Sequence, residues 1–159
     1  MKIWRLRMRT REQFSPSAPA ADMTTCKLGL PFPELNQLLH RVVGTAWKWG
    51  GRYGWGTEEY RAYVERPQLE TWIAYVDGTP IGYYELEKQD DGSVRIMFLG
   101  LRREFIGQGY GGPLLSHAVE RSWELDPVHI WLYTTSNDHP NALNNYLRRG
   151  FEIVQVTES

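Results

Sequence analysis

Ile106-Gly107-Gln108-Gly109-Tyr110-Gly111-Gly112-Pro113 places four glycines in six positions, between a run that reads as a strand and one that reads as a helix. Glycine tolerates positive φ and lets other atoms approach the backbone closely, and a helix that follows at once offers its unpaired first amides. Loops of this kind suit pyrophosphate. Pro113 falls in the first turn, where a missing N–H costs nothing. Behind it Leu114, Leu115, Ala118, Val119 and Trp123 form an apolar stripe at helical spacing.

The string Gly107 to Gly112 also fits G-x-G-x-x-G, a weak signal when it stands alone. Against a nicotinamide site, the charged Arg102, Arg103 and Glu104 separate strand from glycine, and no acidic residue ends the next strand. Only one parallel crossover is present, where a dinucleotide fold needs several. A P-loop is excluded more simply, because no Lys-Ser or Lys-Thr follows the last glycine.

Working outward, Val94 to Leu101 is the strand before the loop, and Gly100 within it signals a bulge or a close backbone approach. Thr71 to Val76 and Ile81 to Glu87 flank Asp77-Gly78-Thr79-Pro80 as a hairpin. Upstream, Pro33 and Glu34 open a helix carrying Leu35, Leu38, Leu39, Val42 and Val43, which ends before Gly50 and Gly51. A second helix starts at a Thr57 cap and is closed by Pro67. Gln13 to Lys27, rich in Pro, Ser, Ala and Thr, reads as a connection that packs little. In Met1 to Met8, arginines at every second position alternate with Trp4, Leu6 and Met8, which is the period of a half-buried strand at or next to a sheet edge rather than of an amphipathic transit helix. Downstream, Val128 to Thr134 is a strand, Pro140 to Arg149 a short helix stopped by Gly150, and Phe151 to Val156 a last strand. The order predicts one α/β domain over residues 1–159, with a mixed, mostly antiparallel sheet, one parallel crossover and helices on both faces.

Two motifs make the chain similar to the GNAT superfamily of acyl-CoA-dependent N-acetyltransferases. Ile106 to Gly111 matches both glycines of the family's Q/R-x-x-G-x-G/A loop, with Leu114-Leu115 in the place of its paired leucines. Asp138-His139-Pro140-Asn141-Ala142, leading to Tyr146-Leu147-Arg148-Arg149-Gly150-Phe151, looks like the family's N-x-x-A-x-x-x-Y-x-x-x-G-F segment. Ile106 and His139 depart from the usual residues. Most relatives add a further antiparallel strand after the one at Phe151, so the resemblance implies either a shorter sheet end or a homodimer in which a partner chain covers it.

What the resemblance implies can be stated residue by residue. Acetyl-CoA would serve as co-substrate, held by Leu99, Gly100, Leu101, Gly107, Gln108, Gly109, Gly111, Gly112 and Asn137, with a backbone amide of the Leu99–Leu101 stretch polarising the thioester carbonyl. Tyr146 would protonate the departing thiolate; read from its spacing alone it is a packed aromatic. Where histone-type relatives carry a glutamate base this chain has Arg95, so Glu85, between Tyr83-Tyr84 and Leu86, is the remaining candidate base, with a solvated strand residue as the alternative. Trp49, Tyr53 and Trp55, in the connection between the first two helices, either face the acceptor or fold under the core. The expected reaction is acetyl transfer to a primary amine by direct attack, a small molecule before a protein. A non-catalytic CoA-binding domain and a dinucleotide-dependent oxidoreductase are the alternatives.

The composition agrees with an ordinary globular chain. It has 159 residues, 42% of them hydrophobic and 23% charged, with a formal net charge of -1. Nucleic acid is therefore not an expected partner. The longest apolar run, Ile96 to Leu101, falls far short of the ~20 residues that span a bilayer. One cysteine, Cys26, allows no internal disulfide and no cysteine zinc site, which suits a reducing, cytoplasmic setting. The four histidines lie on different elements, so no metal is expected.

Overall fold

The computed structural model describes residues Met1–Ser159. Seven strands form one sheet: β1 Lys2–Met8, β2 Met23–Lys27, β3 Leu69–Val76, β4 Thr79–Lys88, β5 Val94–Leu101, β6 Ile130–Thr135 and β7 Glu152–Glu158. Four helices accompany them: α1 Pro33–Gly44, α2 Thr57–Val64, α3 Gly111–Glu124 and α4 Ala142–Arg148. The sheet order is β2-β3-β4-β5-β6-β1-β7, and every pairing is antiparallel except β5 with β6. The mixed α/β architecture expected from the sequence is therefore present.

Helices lie on both faces because the central strands are apolar on both. On one face Leu86, Ile96 and Leu132 pack with Leu114, Leu115, Ala118 and Val119 of α3, joined by Leu6 and Met8 of β1. On the other, Ile73 and Tyr83 meet Leu39 and Val43 of α1. Only part of the expected α1 stripe is used, since Leu38 and Val42 remain 42% and 45% exposed. The cap of α2 is Gly56 rather than Thr57, and its amide donates to the Glu59 carboxylate at 2.8 Å. The β3–β4 hairpin is tighter than expected. Asp77 (φ 51°) and Gly78 (φ 70°) alone make the turn, the left-handed pair that matches strand twist, while Thr79 and Pro80 already belong to β4.

Two parts of the sheet differ from the sequence reading. Met23–Lys27 is not a loose connection but an edge strand, paired with β3 from Met23↔Val76 to Lys27↔Trp72. At the other side, the position next to the Phe151 strand, where the sequence resemblance leads one to expect a further strand, is filled by the chain's own amino terminus. β1 lies between β6 and β7, with Leu6 opposite both Leu132 and Ile153. Neither a shortened sheet nor a partner chain is needed to fill that position.

One feature of the sheet positions the site. β5 and β6 pair only at Val94↔Ile130 and Arg95↔Trp131, then separate. A parallel pair that comes apart after two residues leaves a wedge between Ile96–Leu101 and the rest of β6.

Candidate active site

The wedge opens into a cleft of about 1080 Å³, walled by β5, the end of β6, the glycine loop, α4 and the α1–α2 connection. Its floor carries a β-bulge. Glu85 faces Phe98 while Leu86 faces Ile96, so Met97 is the extra residue on β5 and its backbone is released from the β4 ladder. The bulge thus falls at Met97 and not at Gly100. Gly100 serves the other purpose of a strand glycine: a Cβ there would sit 2.6 Å from Val43 Cγ1 and 3.2 Å from Trp49 Cη2.

At the mouth of the cleft the glycine loop has the geometry the sequence requires. Gly107 and Gly109 have φ of 81° and 90°, and the space beside each is open. α3 begins at Gly111, so the positive end of a 14-residue helix and its first free amides face the same opening. Asn145 of α4 ties this end in place by donating to the Gly111 carbonyl at 3.2 Å. An anionic diphosphate fits such a cradle. Arg148 adds a cation to the cleft lining, whereas Ile106 offers only its backbone.

Tyr146 stands on the cleft wall, half-buried, with its ring edge-on to Phe151 at 6.0 Å. Burial, and next the charge of Asp138, push its phenol well above the ordinary value, so it holds its proton through neutral and alkaline pH. Asp138 is the only carboxylate on the wall, and both its oxygens are engaged: Thr134 Oγ1 and the Thr135 amide donate to Oδ2 at 2.6 and 2.9 Å, Trp49 Nε1 to Oδ1 at 3.3 Å. With the Trp47 and His139 rings in edge contact at 5.3 Å, this pins the α1–α2 connection across the cleft to the segment after β6.

Of the residues singled out from the sequence, Leu99, Gly100, Leu101, Gly107, Gly109, Gly111, Gly112, Asn137, Tyr146, Trp49 and Tyr53 all border the cleft. Three do not. Gln108 turns away to donate to the Glu104 carbonyl at 2.7 Å. Trp55 packs on Tyr60 and Tyr63, with the Arg52 guanidinium 5.2 Å from its ring.

Glu85 is neither a solvated residue nor an accessible base. It is fully buried, held by Arg52 (Nη2 to Oε1 2.6 Å, Nη1 to Oε2 3.2 Å) and by Asn36 Nδ2 at 2.9 Å. Aromatic rings of Tyr63 and Phe98 lie 4.4 and 4.5 Å from the same guanidinium. Burial alone would pull Arg52 down, but Glu85 holds it above its usual range. Next to this pair, burial and the Arg52 charge lower His40 to about 4, so the imidazole is neutral at pH 7. Cleft residues that sequence reasoning did not single out include Met97 and Asp138. Asp138 was visible within the Asp138–Ala142 segment, but nothing local marks Met97 as a bulge.

A sheet splayed over a bulge, a glycine loop leading into a helix and a tyrosine on the facing wall thus share one cleft. A doubly wound dinucleotide sheet is ruled out by the single parallel pair. The model of the acetyltransferase (GNAT) family matches residues 39–151, and the chain belongs to that family. Among solved structures it is similar to a GCN5-related N-acetyltransferase from Kribbella flavida, with 17% identity, 98% of this chain and 56% of that one covered, and a TM-score of 0.70. An aminoglycoside acetyltransferase from an uncultured soil metagenomic sample aligns at 14% identity over 79% of this chain and 86% of that one, TM-score 0.64. The ribosomal-protein-S18-alanine N-acetyltransferase from Escherichia coli aligns at 14% identity over 82% and 77%, TM-score 0.64. The chain spans about half the length of the first of these. None of the curated proteins matches it in sequence. No helix is long and apolar enough to cross a membrane, and no group of three or more His, Cys, Asp or Glu side chains could hold a metal ion.

Proposed function

We propose that the chain transfers an acetyl group from acetyl-CoA to a primary amine by direct attack, with a small-molecule acceptor favoured over a protein and the cytoplasm as the setting. The observation that carries this reading is the continuity of one cleft from the glycine cradle, along Leu99–Leu101, to the bulge and Tyr146. Acetyl-CoA supplies an acyl thioester whose carbonyl carbon takes the amine and whose thiolate leaves.

The chain's own residues then have definite tasks. The amides of Gly109, Gly111 and Gly112 hold the diphosphate, and Leu99–Leu101 lines the pantetheine arm. The backbone at Met97, free of the β4 ladder, donates to the carbonyl oxygen as negative charge develops there. Tyr146 gives its proton to the leaving sulfur. Glu85 is locked to Arg52 away from the cleft and does not serve as base. The amine binds neutral, and the proton it loses passes to water. A cleft bridged by Trp49–Asp138 and Trp47–His139 favours a compact acceptor; among the structural neighbours, one is named for aminoglycosides and one for a ribosomal protein, so the fold admits both kinds.

The test is thiol release from acetyl-CoA in the presence of a panel of primary amines and of peptides with free amino termini, with the acetylated product identified by mass. Amine-dependent release with a small amine is the expected result. Release only with peptides would overturn the acceptor class, and no release with any member would leave the domain as a CoA-binding one.

A further inference from the structure

We propose that Arg95 anchors an acidic group on the acceptor, so that the substrate is an amine bearing a carboxylate near its nitrogen. This rests on the acetyl-transfer reading above. Arg95 lies on the cleft wall two residues before the bulge, which at ~3.3 Å per residue is about 7 Å along β5 from the polarising backbone. That is the far side of the bulge from the glycine cradle, where an amine must approach.

Arg95 has no anionic partner in the protein. Its cross-strand neighbour Glu87 is bound by Arg66 and accepts from Gln89 Nε2. The remaining neighbours are the rings of Trp131 and Tyr133, 4.8 and 5.1 Å from its guanidinium carbon, and a second cation, Arg5, 4.4 Å from the same Trp131 ring. Arg95 Nε is buried without a hydrogen-bond partner. The half-buried guanidinium is thus held against two rings, with a second arginine on the same ring and no carboxylate of the protein paired with it, an arrangement that an incoming anion would balance. Arginine's planar fork suits a carboxylate, and the surrounding aromatic faces hold the fork at a fixed angle.

The rest of the cleft has the same sign. Its charged lining consists of Lys48, Arg95 and Arg148 against a single carboxylate, Asp138. A polycationic amine would meet unbalanced positive charge next to Arg95. An amino acid would instead place its carboxylate on Arg95 and leave its nitrogen, once neutral, directed at the bulge.

The experiment compares amino acids, glycine, β-alanine and glutamate among them, with their amides as acceptors, using acetyl-CoA and reading kcat/KM. The acids are expected to exceed their amides by about tenfold or more, the factor a charge-assisted hydrogen bond carries. Arg95→Gln should erase that preference through acceptor KM and leave the KM for acetyl-CoA unchanged, while Arg95→Lys should keep part of it. Amides equal to or better than acids, or a preference that survives Arg95→Gln, would overturn the proposal. If no member turns over, binding of N-acetylglycine and its amide to the CoA-loaded protein is compared by ligand-observed NMR. Selective binding of the acid that is lost in Arg95→Gln supports the anchor, and equal or absent binding overturns it. Thermal stabilisation by acetyl-CoA reports separately on the transfer reading.

Discussion

Arg52→Met is expected to destabilise the fold by about 3–5 kcal/mol, because it leaves the Glu85 carboxylate buried without its counter-charge. For a chain of this size that is a fall in Tm of roughly 6–20 °C. The pair is almost wholly removed from water, with Arg52 and Glu85 side chains 3% and 0% exposed, so the screening that weakens surface ion pairs does not operate. Asn36 would remain, donating to the same carboxylate, but one neutral amide does not replace a bidentate guanidinium. Replacing both members, as in R52M/E85L, should restore much of the loss by removing the uncompensated charge as well as the attraction. Glu85→Gln separates structure from chemistry. Measured below its lowered Tm it should retain the pH dependence of kcat/KM, whereas loss of the profile's basic dependence would return Glu85 to the role of base. Thermal unfolding of the two single variants and the double variant checks the stability claim, and a single-variant loss under about 1 kcal/mol would contradict it.

Tyr146→Phe is expected to lower kcat by about 100-fold or more, within the range a positioned general acid contributes. The change keeps the ring and hence its contact with Phe151, so Tm and acetyl-CoA affinity should hardly move. The pH profile gives an independent check. Since burial and Asp138 raise the phenol, the group stays protonated beyond the ordinary value of ~10, and the wild-type rate should show no fall from its ionisation below about pH 10. The rising limb should instead follow the acceptor amine. An unaltered kcat across several acceptors would show that the hydroxyl transfers no proton.

Both predictions depend on features that the sequence discloses unequally. Local patterns read well: the Asp77-Gly78 hairpin, the Val94–Leu101 strand, the glycine loop with its amphipathic helix, and the motif ending at Gly150-Phe151. Each is determined by residues next to one another. β2 escaped notice because an edge strand buries little, and Met23–Lys27 shows no clean alternation after a stretch rich in Pro, Ser and Ala. The insertion of β1 between β6 and β7 depends on pairing between the two ends of the chain, which no local pattern records. The wedge at β5 and β6 is likewise a matter of register.

Glu85 is the instructive case. A carboxylate among Ile81, Tyr83, Tyr84 and Leu86 lies in a strand buried on both faces, where an unpaired charge is costly and a counter-charge offsets the cost. Its partner was not legible, because Arg52 sits 33 residues away in a loop whose glycines and aromatics give no fixed conformation in advance. The aromatics of that loop divide between the two readings: the Trp55 ring belongs to the Arg52 cluster, while Trp49 and Tyr53 reach the cleft.

If the splayed cleft is a donor site for acetyl-CoA, thermal unfolding with and without that ligand reveals it, with CoA, NAD and ATP as comparisons. At about 100 times its dissociation constant a ligand that binds only the folded state stabilises by ~2.7 kcal/mol, and this shift is expected with acetyl-CoA and CoA and not with NAD. Stabilisation by NAD alone, or by neither CoA species, would contradict it.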